Sequence, residues 1–526
     1  MPRPAAIRVR PLSLPALLSL TLLAPLGAHA SVRDCEGLTH YRLPASDVRI
    51  EKAALVPSGV PKPIPFAPPI TVSIPAHCRV EGVIDPHTGP DGKPYGIRFA
   101  INLPEQWNGR FLFQGGGGLN GSVGEPLGYA ASGDTPALAR GFAVVSTDTG
   151  HEGRGPFDSS FFADQQASLD FLYQAVGEVA EVTKRIVAHY YRHNPAHSYF
   201  MGCSTGGREA MLMSQRYPRD FDGIVAGSPA MRTGFSGIGD KWVLTALDQV
   251  APRDAAGRPV GSRAFSPAER KLIVDSILKA CDAQDGLRDG LIENPLGCDF
   301  DPAKLECSGS SRENCLTADK VAALKRGFAG PKDSLGRQVY PGFFFDTGIA
   351  SGGPGVVPGL LLGASGPLGG APPLQMNVDD AEHAAASDPA RVGDTDRWTN
   401  LSTFSGHGGK LIFYHGVSDP WFSAKDTIDY YRRLTADNGG AQSVMQWSRL
   451  FLVPGMSHCG GGAATLDRFD MLDAIVAWVE KGRAPDSVTA TGRSFPGRSR
   501  PLCPYPEHAQ YRGGDPQSAS SFECRD

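Results

Sequence analysis

The sequence predicts an α/β fold with a large insertion, and three observations predict it. Short runs of β-branched and aromatic residues, bounded by Gly, Pro and Asp, mark strands early in the chain. Strands then alternate with helices over 168–226, and again over 410–481. Between these blocks the alternation fails, in a stretch rich in Gly, Pro, Asp and Ser.

Early strands are expected at Val80–Ile84, Gly96–Leu103, Arg110–Gln114 and Phe142–Thr147. Leu172, Val176, Val179, Val182, Ile186 and Tyr190 recur at helical spacing, so a helix is expected from Ser168 to Arg192. Asn194-Pro195 stops it. A short strand, Ser198–Gly202, leads into a helix ending near Tyr217-Pro218, and Phe221–Ala226 reads as a buried strand. After the insertion come a strand at Lys410–His415, a helix around Ala424–Leu434, a strand at Arg449–Val453 and an amphipathic helix at Phe469–Lys481. No internal repeat is visible.

Residues 1–30 have the make-up of a secretory leader. Arg3, Arg8 and Arg10 precede an apolar run, Leu12 to Leu26, broken by Pro15 and Pro25, and Ala28-His29-Ala30 gives a small-x-small cleavage pattern. The run is too short for a membrane anchor. The expected mature protein is exported, to the periplasm or beyond, with no membrane segment. Loss of the three arginines takes its net charge from −4 to −7. That acidity argues against a nucleic-acid partner.

The 10 cysteines all lie in the exported part, and none forms Cys-x-x-Cys, so disulfides are expected rather than a structural zinc site. Spacing cannot fix their connectivity. Proximity suggests Cys281–Cys298, Cys307–Cys315, Cys503–Cys524 and Cys35–Cys78, which leaves Cys203 with Cys459.

That last pair flanks the chemistry. Gly202-Cys203-Ser204-Thr205-Gly206 contains Gly-x-Ser-x-Gly between a strand and a helix, the pattern of a nucleophile elbow. Ser457-His458-Cys459 supplies a histidine late in the chain. A serine hydroxyl needs an adjacent base, and that base needs a carboxylate to fix its tautomer. Asp419 lies just past a strand and before His458, as the order Ser…Asp…His requires; Asp426 and Asp429, on the next helix, are weaker candidates. If Ser204 and His458 meet, Cys203 and Cys459 must come within disulfide reach. Thr205 and the run Gly115–Gly118 are placed to offer backbone N–H groups to an oxyanion. The expected architecture is an α/β-hydrolase core in two parts, 31–226 and 402–526, interrupted by a lid at 227–401.

A second constellation is Asp282, Asp285 and Asp289 on a glycine-bearing loop. Hard oxygen ligands on a turning backbone suit calcium, and Asp-Gly turns account for the loop equally well.

The Cys203-Ser204, Asp419 and His458-Cys459 arrangement resembles the tannase/feruloyl esterase family of α/β-hydrolases. The likeness extends to Trp107-Asn108-Gly109-Arg110, Gly206-Gly207-Arg208-Glu209 and the tail Arg500–Pro506. It implies a serine carboxylesterase acting on small esters of aromatic acids such as ferulate and gallate. It also implies that Gly118 and Thr205 are the oxyanion donors. A structural calcium in the lid is implied too, held by the Asp282, Asp285 and Asp289 side chains and the Leu287 and Leu291 carbonyls. A close branch hydrolyses mono(2-hydroxyethyl) terephthalate and holds its free carboxylate with a lid arginine.

Here Arg337 and Arg391 bracket a lid stretch without arginine, so uncharged esters are expected to be preferred. Phe343, Phe344 and Leu360 to Leu362 could cover an aromatic ring or form lid core; Phe422 and His415 are expected as substrate contacts. The competing readings are a terephthalate monoester hydrolase, a serine peptidase, and a binding protein without turnover.

Overall fold

The computed structural model describes residues 32–44, 47–64, 69–309, 313–353, 356–363 and 375–526. The expected leader at 1–30 and part of the Gly/Pro-rich stretch Gly348–Pro373 lie outside them. Nine strands form one sheet: β1 Val48–Val56, β2 His77–Thr88, β3 Pro94–Pro104, β4 Arg110–Gln114, β5 Ala143–Thr147, β6 His197–Cys203, β7 Gly223–Gly227, β8 Lys410–Gly416 and β9 Ser448–Val453. Their spatial order is β1-β2-β3-β5-β4-β6-β7-β8-β9. The pairs from β5 through β4, β6, β7 and β8 to β9 are parallel, while β1, β2 and β3 pair antiparallel and β3 joins β5 antiparallel.

The period-2 pattern of these strands sorts their side chains onto two faces. Phe111, Phe113, Phe200, Ile224, Leu411 and Phe413 share one core with Val176, Val179 and Ile186 of the helix Ala175–Tyr191. Leu112, Tyr199, Met201, Val225, Ile412 and Tyr414 point the other way and share a second core with Ile475 and Trp478 of the helix Met471–Lys481. β5 and β7 are buried along their whole length, on both faces.

β1 went unread because its alternation breaks at a register shift between Ile50 and Lys52. The single helix expected at Ser168–Arg192 is a short α segment, Gln165–Leu169, a π turn at Asp170–Gln174, and then Ala175–Tyr191.

The insertion between β7 and β8 is more regular than its composition suggests. It holds the helices Thr233–Asp248, Pro267–Cys281, Ala318–Ala329 and Val378–Ser387. They pack on their own cluster, including Ile273, Leu324, Phe328 and Tyr340. Phe343, Leu360 and Leu361 belong to this cluster, and Phe344 packs into the core of the sheet. All ten cysteines are paired, as Cys35–Cys78, Cys203–Cys459, Cys281–Cys298, Cys307–Cys315 and Cys503–Cys524. Among the described residues no helix is long and apolar enough to cross a membrane.

Candidate active site

β6 ends at Cys203, and the helix Thr205–Arg216 begins two residues later. Ser204 sits between them at φ 64° and ψ −124°, a backbone that L-residues adopt only under constraint. The flanking glycines allow the chain to pass. A Cβ on Gly202 would lie 2.6 Å from the Gly206 carbonyl, and one on Gly206 would lie 2.7 Å from the Gly116 oxygen. Ser204 is half-buried and its amide donates to the Gly227 carbonyl at 3.0 Å.

The Cys203–Cys459 bond, with its Cα atoms 6.0 Å apart, ties this elbow to the loop carrying His458. His458 Nδ1 donates to Asp419 Oδ2 at 2.7 Å, and its Nε2 lies 3.6 Å from the Cys459 sulfur. Asp419 is buried at the end of β8; its Oδ1 accepts the amides of Trp421 at 2.9 Å and Phe422 at 3.1 Å. Burial alone would raise the Asp419 carboxyl, but the His458 and His415 rings outweigh it and hold the group well below the usual carboxylate range. The two weaker candidates for the carboxylate are committed elsewhere: Asp426 pairs with Arg232 and Asp429 with Arg433.

On the opposite side, the glycine run follows β4. Gly118 has φ +59°, and a Cβ there would lie 2.2 Å from the Pro156 oxygen, so only glycine fits. The Thr205 hydroxyl donates to the Gly118 carbonyl. Thr205 is the first helical residue after the elbow, where backbone N–H groups have no partner within the helix.

His415, expected as a substrate contact, is not one. It is fully buried behind Asp419, with Nε2 2.9 Å from the Phe422 carbonyl and Nδ1 2.9 Å from the Thr427 hydroxyl. A carbonyl only accepts, so Nε2 carries the proton and Thr427 donates to Nδ1. Phe422 does reach the site, with its ring centroid 5.2 Å from that of His458. Trp421 lies closer still, at 4.8 Å, and meets the exposed Phe157 edge-on at 6.1 Å. Neither Trp421 nor Phe157 was legible in the sequence, because an aromatic ring on a loop carries no periodic signal.

Asp346 of the insertion was also missed. Fully buried, it accepts the Ser418 hydroxyl at 2.7 Å and the Gly455 amide at 2.8 Å, and so braces the loops of both Asp419 and His458.

A cleft of about 650 Å³, lined by Arg232, Phe344, Phe345, Lys425 and Arg432 among others, opens where the insertion meets the helix Ala424–Asp437. None of Ser204, Asp419 and His458 lines it.

In the acidic loop, Asp282 accepts the amides of Asp289 at 3.1 Å and Gly290 at 3.2 Å, while Asp289 pairs with Arg500. Asp285 is buried, and its Oδ2 has no hydrogen-bond partner. Burial, then the charges of Asp289 and Asp282, push its pKa up to about 6. Among the described residues no preset group of three or more His, Cys, Asp or Glu is gathered for a metal. The orphaned Asp285 oxygen and the mutual repulsion are nonetheless what a hard cation would relieve, so the residues fit one.

A mainly parallel sheet, helices on both faces and a serine elbow at the end of a central strand define an α/β-hydrolase. The chain belongs to the tannase and feruloyl esterase family, which it matches over residues 78–357 and 378–525. It is therefore a carboxylic ester hydrolase of that type. It is 39% identical to a mono(2-hydroxyethyl) terephthalate hydrolase of Piscinibacter sakaiensis, over 87% of both chains. It is 30% identical to a probable feruloyl esterase of Arthroderma benhamiae, over 97% of this chain and 98% of that one. Among solved structures, feruloyl esterase B from Aspergillus oryzae superposes with a TM-score of 0.76 at 27% identity, covering 94% of this chain and all of the other (100%).

Proposed function

We propose that the protein is an exported serine carboxylesterase that cleaves uncharged esters of aromatic acids, of the feruloyl and galloyl type, through an acyl-enzyme. The observation that carries this reading is the His458 Nδ1 to Asp419 Oδ2 hydrogen bond of 2.7 Å, on a loop clamped by a disulfide to the serine elbow. With Nδ1–H committed to Asp419, the Nε2 lone pair is free to take the Ser204 proton as Oγ attacks the ester carbonyl. The amides of Thr205 and Gly118 receive the oxyanion. His458 then protonates the departing alkoxide. A water molecule, deprotonated in turn by His458, releases the acid and regenerates Ser204.

Trp421, Phe422 and Phe157 supply an aromatic wall beside His458. The preference for uncharged esters rests on engaged arginines. Arg391 pairs with Asp394, Arg337 with Asp333, and Arg208 is held by the carbonyls of Phe171 and Leu172. A buried carboxylate without a free guanidinium pays for its desolvation.

The insertion serves as a lid, and the loop Asp282–Leu291 holds one structural calcium through the side chains of Asp282, Asp285 and Asp289 and the carbonyls of Leu287 and Leu291. That ion would neutralise the acidic loop and stay out of the reaction. Five disulfides suit an oxidising compartment and support export.

A second reading, hydrolysis of a terephthalate monoester, is favoured by the 39% identity to an enzyme of that name. The two separate in one comparison: kcat/KM for methyl ferulate or a gallate ester against mono(2-hydroxyethyl) terephthalate, with Ser204→Ala as the inactive control. A clear preference for the monoester makes the second reading the right one. Persistent hydrolysis by Ser204→Ala rejects both.

A further inference from the structure

Glu209 is a buried carboxylate to which the proposed reaction assigns no proton. It lies on the elbow helix, one turn past Thr205. Its Oε2 accepts the Gly116 amide at 2.9 Å, and its Oε1 accepts Asn120 Nδ2 at 2.6 Å. The Gly116 carbonyl in turn accepts the Gly206 amide at 3.0 Å. The elbow helix therefore grips Gly116 on both its N–H and its C=O. Asn120 closes the far side of the run, its own amide donating to Gly117 at 3.0 Å. Gly118, between these fixed points, receives the Thr205 hydroxyl on its carbonyl.

We infer that Glu209, with Asn120, is a positioning residue that sets the Gly118 amide against the Thr205 amide, so that both converge on one oxyanion. This rests on reading Gly118 and Thr205 as the oxyanion donors.

The surroundings are built to keep a carboxyl there. Burial pushes the Glu209 carboxyl up, and the Arg208 charge and the two donated hydrogen bonds oppose that rise. Arg208 spends its own donors on the carbonyls of Leu172, at 2.8 Å, and Phe171, at 3.0 Å, so it lends charge without taking up either Glu209 oxygen. A donor aimed at a developing charge acts in the transition state more than in the bound ester. Loss of the brace should therefore lower kcat and leave KM nearly alone.

Three variants test this in the full-length protein with methyl ferulate. Glu209→Met fills the space but accepts nothing; it should lower kcat by about 30- to 100-fold with KM changed less than about twofold. Asn120→Ala, a milder change should the first variant not fold, should lower kcat by about 5- to 10-fold. Glu209→Gln should stay within about fivefold of the parent. Its Oε1 can still accept from Gly116, and its NH2 can donate to Asn120 Oδ1, now buried without a partner, once that amide turns over.

An arylboronic acid, which places a hydroxyl where the oxyanion forms, should lose affinity by the same factor as kcat/KM. Ferulate, bound only as a ground-state ligand, should not. Unchanged kcat in both Glu209→Met and Asn120→Ala overturns the proposal. So does a Glu209→Gln as slow as Glu209→Met, which would mean a proton-transfer role. So do equal losses for boronate and ferulate, which would mean a general collapse of the pocket. Failure of the underlying esterase reading shows separately, as hydrolysis that survives Ser204→Ala.

Discussion

Replacing Asp419 by Asn tests the electrostatic logic of the site at one atom. Asp419 Oδ1 is held by two backbone amides, at 2.9 and 3.1 Å, and Oδ2 faces His458 Nδ1 at 2.7 Å. An asparagine keeps its carbonyl on the two amides and turns its NH2 toward His458. That NH2 donates, so Nδ1 must accept and the ring proton moves to Nε2, where it blocks uptake of the serine proton. Flipping the amide would restore the tautomer but set NH2 against two buried backbone donors. At about 1–3 kcal/mol for each donor left unsatisfied, the flip costs about 2–6 kcal/mol. Every 1.4 kcal/mol removes about a factor of ten from the competent population, so kcat/KM should fall by about 30-fold at the low end of that range and about 10⁴-fold at the high end. The assay is steady-state hydrolysis of methyl ferulate by Asp419→Asn with a circular dichroism spectrum matching the parent. A folded variant within about tenfold of the parent would refute the argument, because Oδ1 would not then dictate the amide's orientation.

Joint replacement of Cys203 and Cys459 by Ala should lower kcat/KM by at least about tenfold through looser placement of His458, and peptide mapping of the unreduced parent should recover the two cysteines in one linked fragment. Removal of calcium by a chelator should lower the melting temperature and restore repulsion among Asp282, Asp285 and Asp289; elemental analysis without calcium and a melting temperature indifferent to chelator would reject the site. The pH dependence of stability offers a fourth check at Asp148, whose pKa burial pushes up to about 8 while the amides of Arg98 and Gly150 donate to it. A carboxyl with a raised folded-state pKa binds more protons folded than unfolded, so its contribution to stability falls as pH rises from about 4 to about 8. Asp148→Asn keeps an accepting oxygen for both amides, so its melting temperature should fall less over that window than the parent's; parallel curves would reject the assignment.

The sequence by itself determined the alternating strands and helices of the core, because burial on one or two faces imposes a period that survives in one dimension. It also supplied the elbow and the order of Ser204, Asp419 and His458 through turn chemistry, four cysteine pairs through proximity, and the fifth, Cys203–Cys459, as the pair left over beside the elbow and the histidine. Where periodicity is interrupted, reading failed. β1 is broken by its register shift, and the helices of the insertion are separated by long Gly- and Pro-rich connections.

Only the tertiary structure decided which groups meet. It removed His415 from the substrate space by burying it against Thr427 and the Phe422 carbonyl, and it brought Trp421 to the catalytic histidine candidate instead. It also set Asp346 under two loops more than 70 residues downstream, and Glu209 under a glycine run more than 90 residues upstream. Such contacts are made by single side chains across large sequence separations. Their energy comes from satisfying buried donors in three dimensions, and it leaves no repeating mark along the chain.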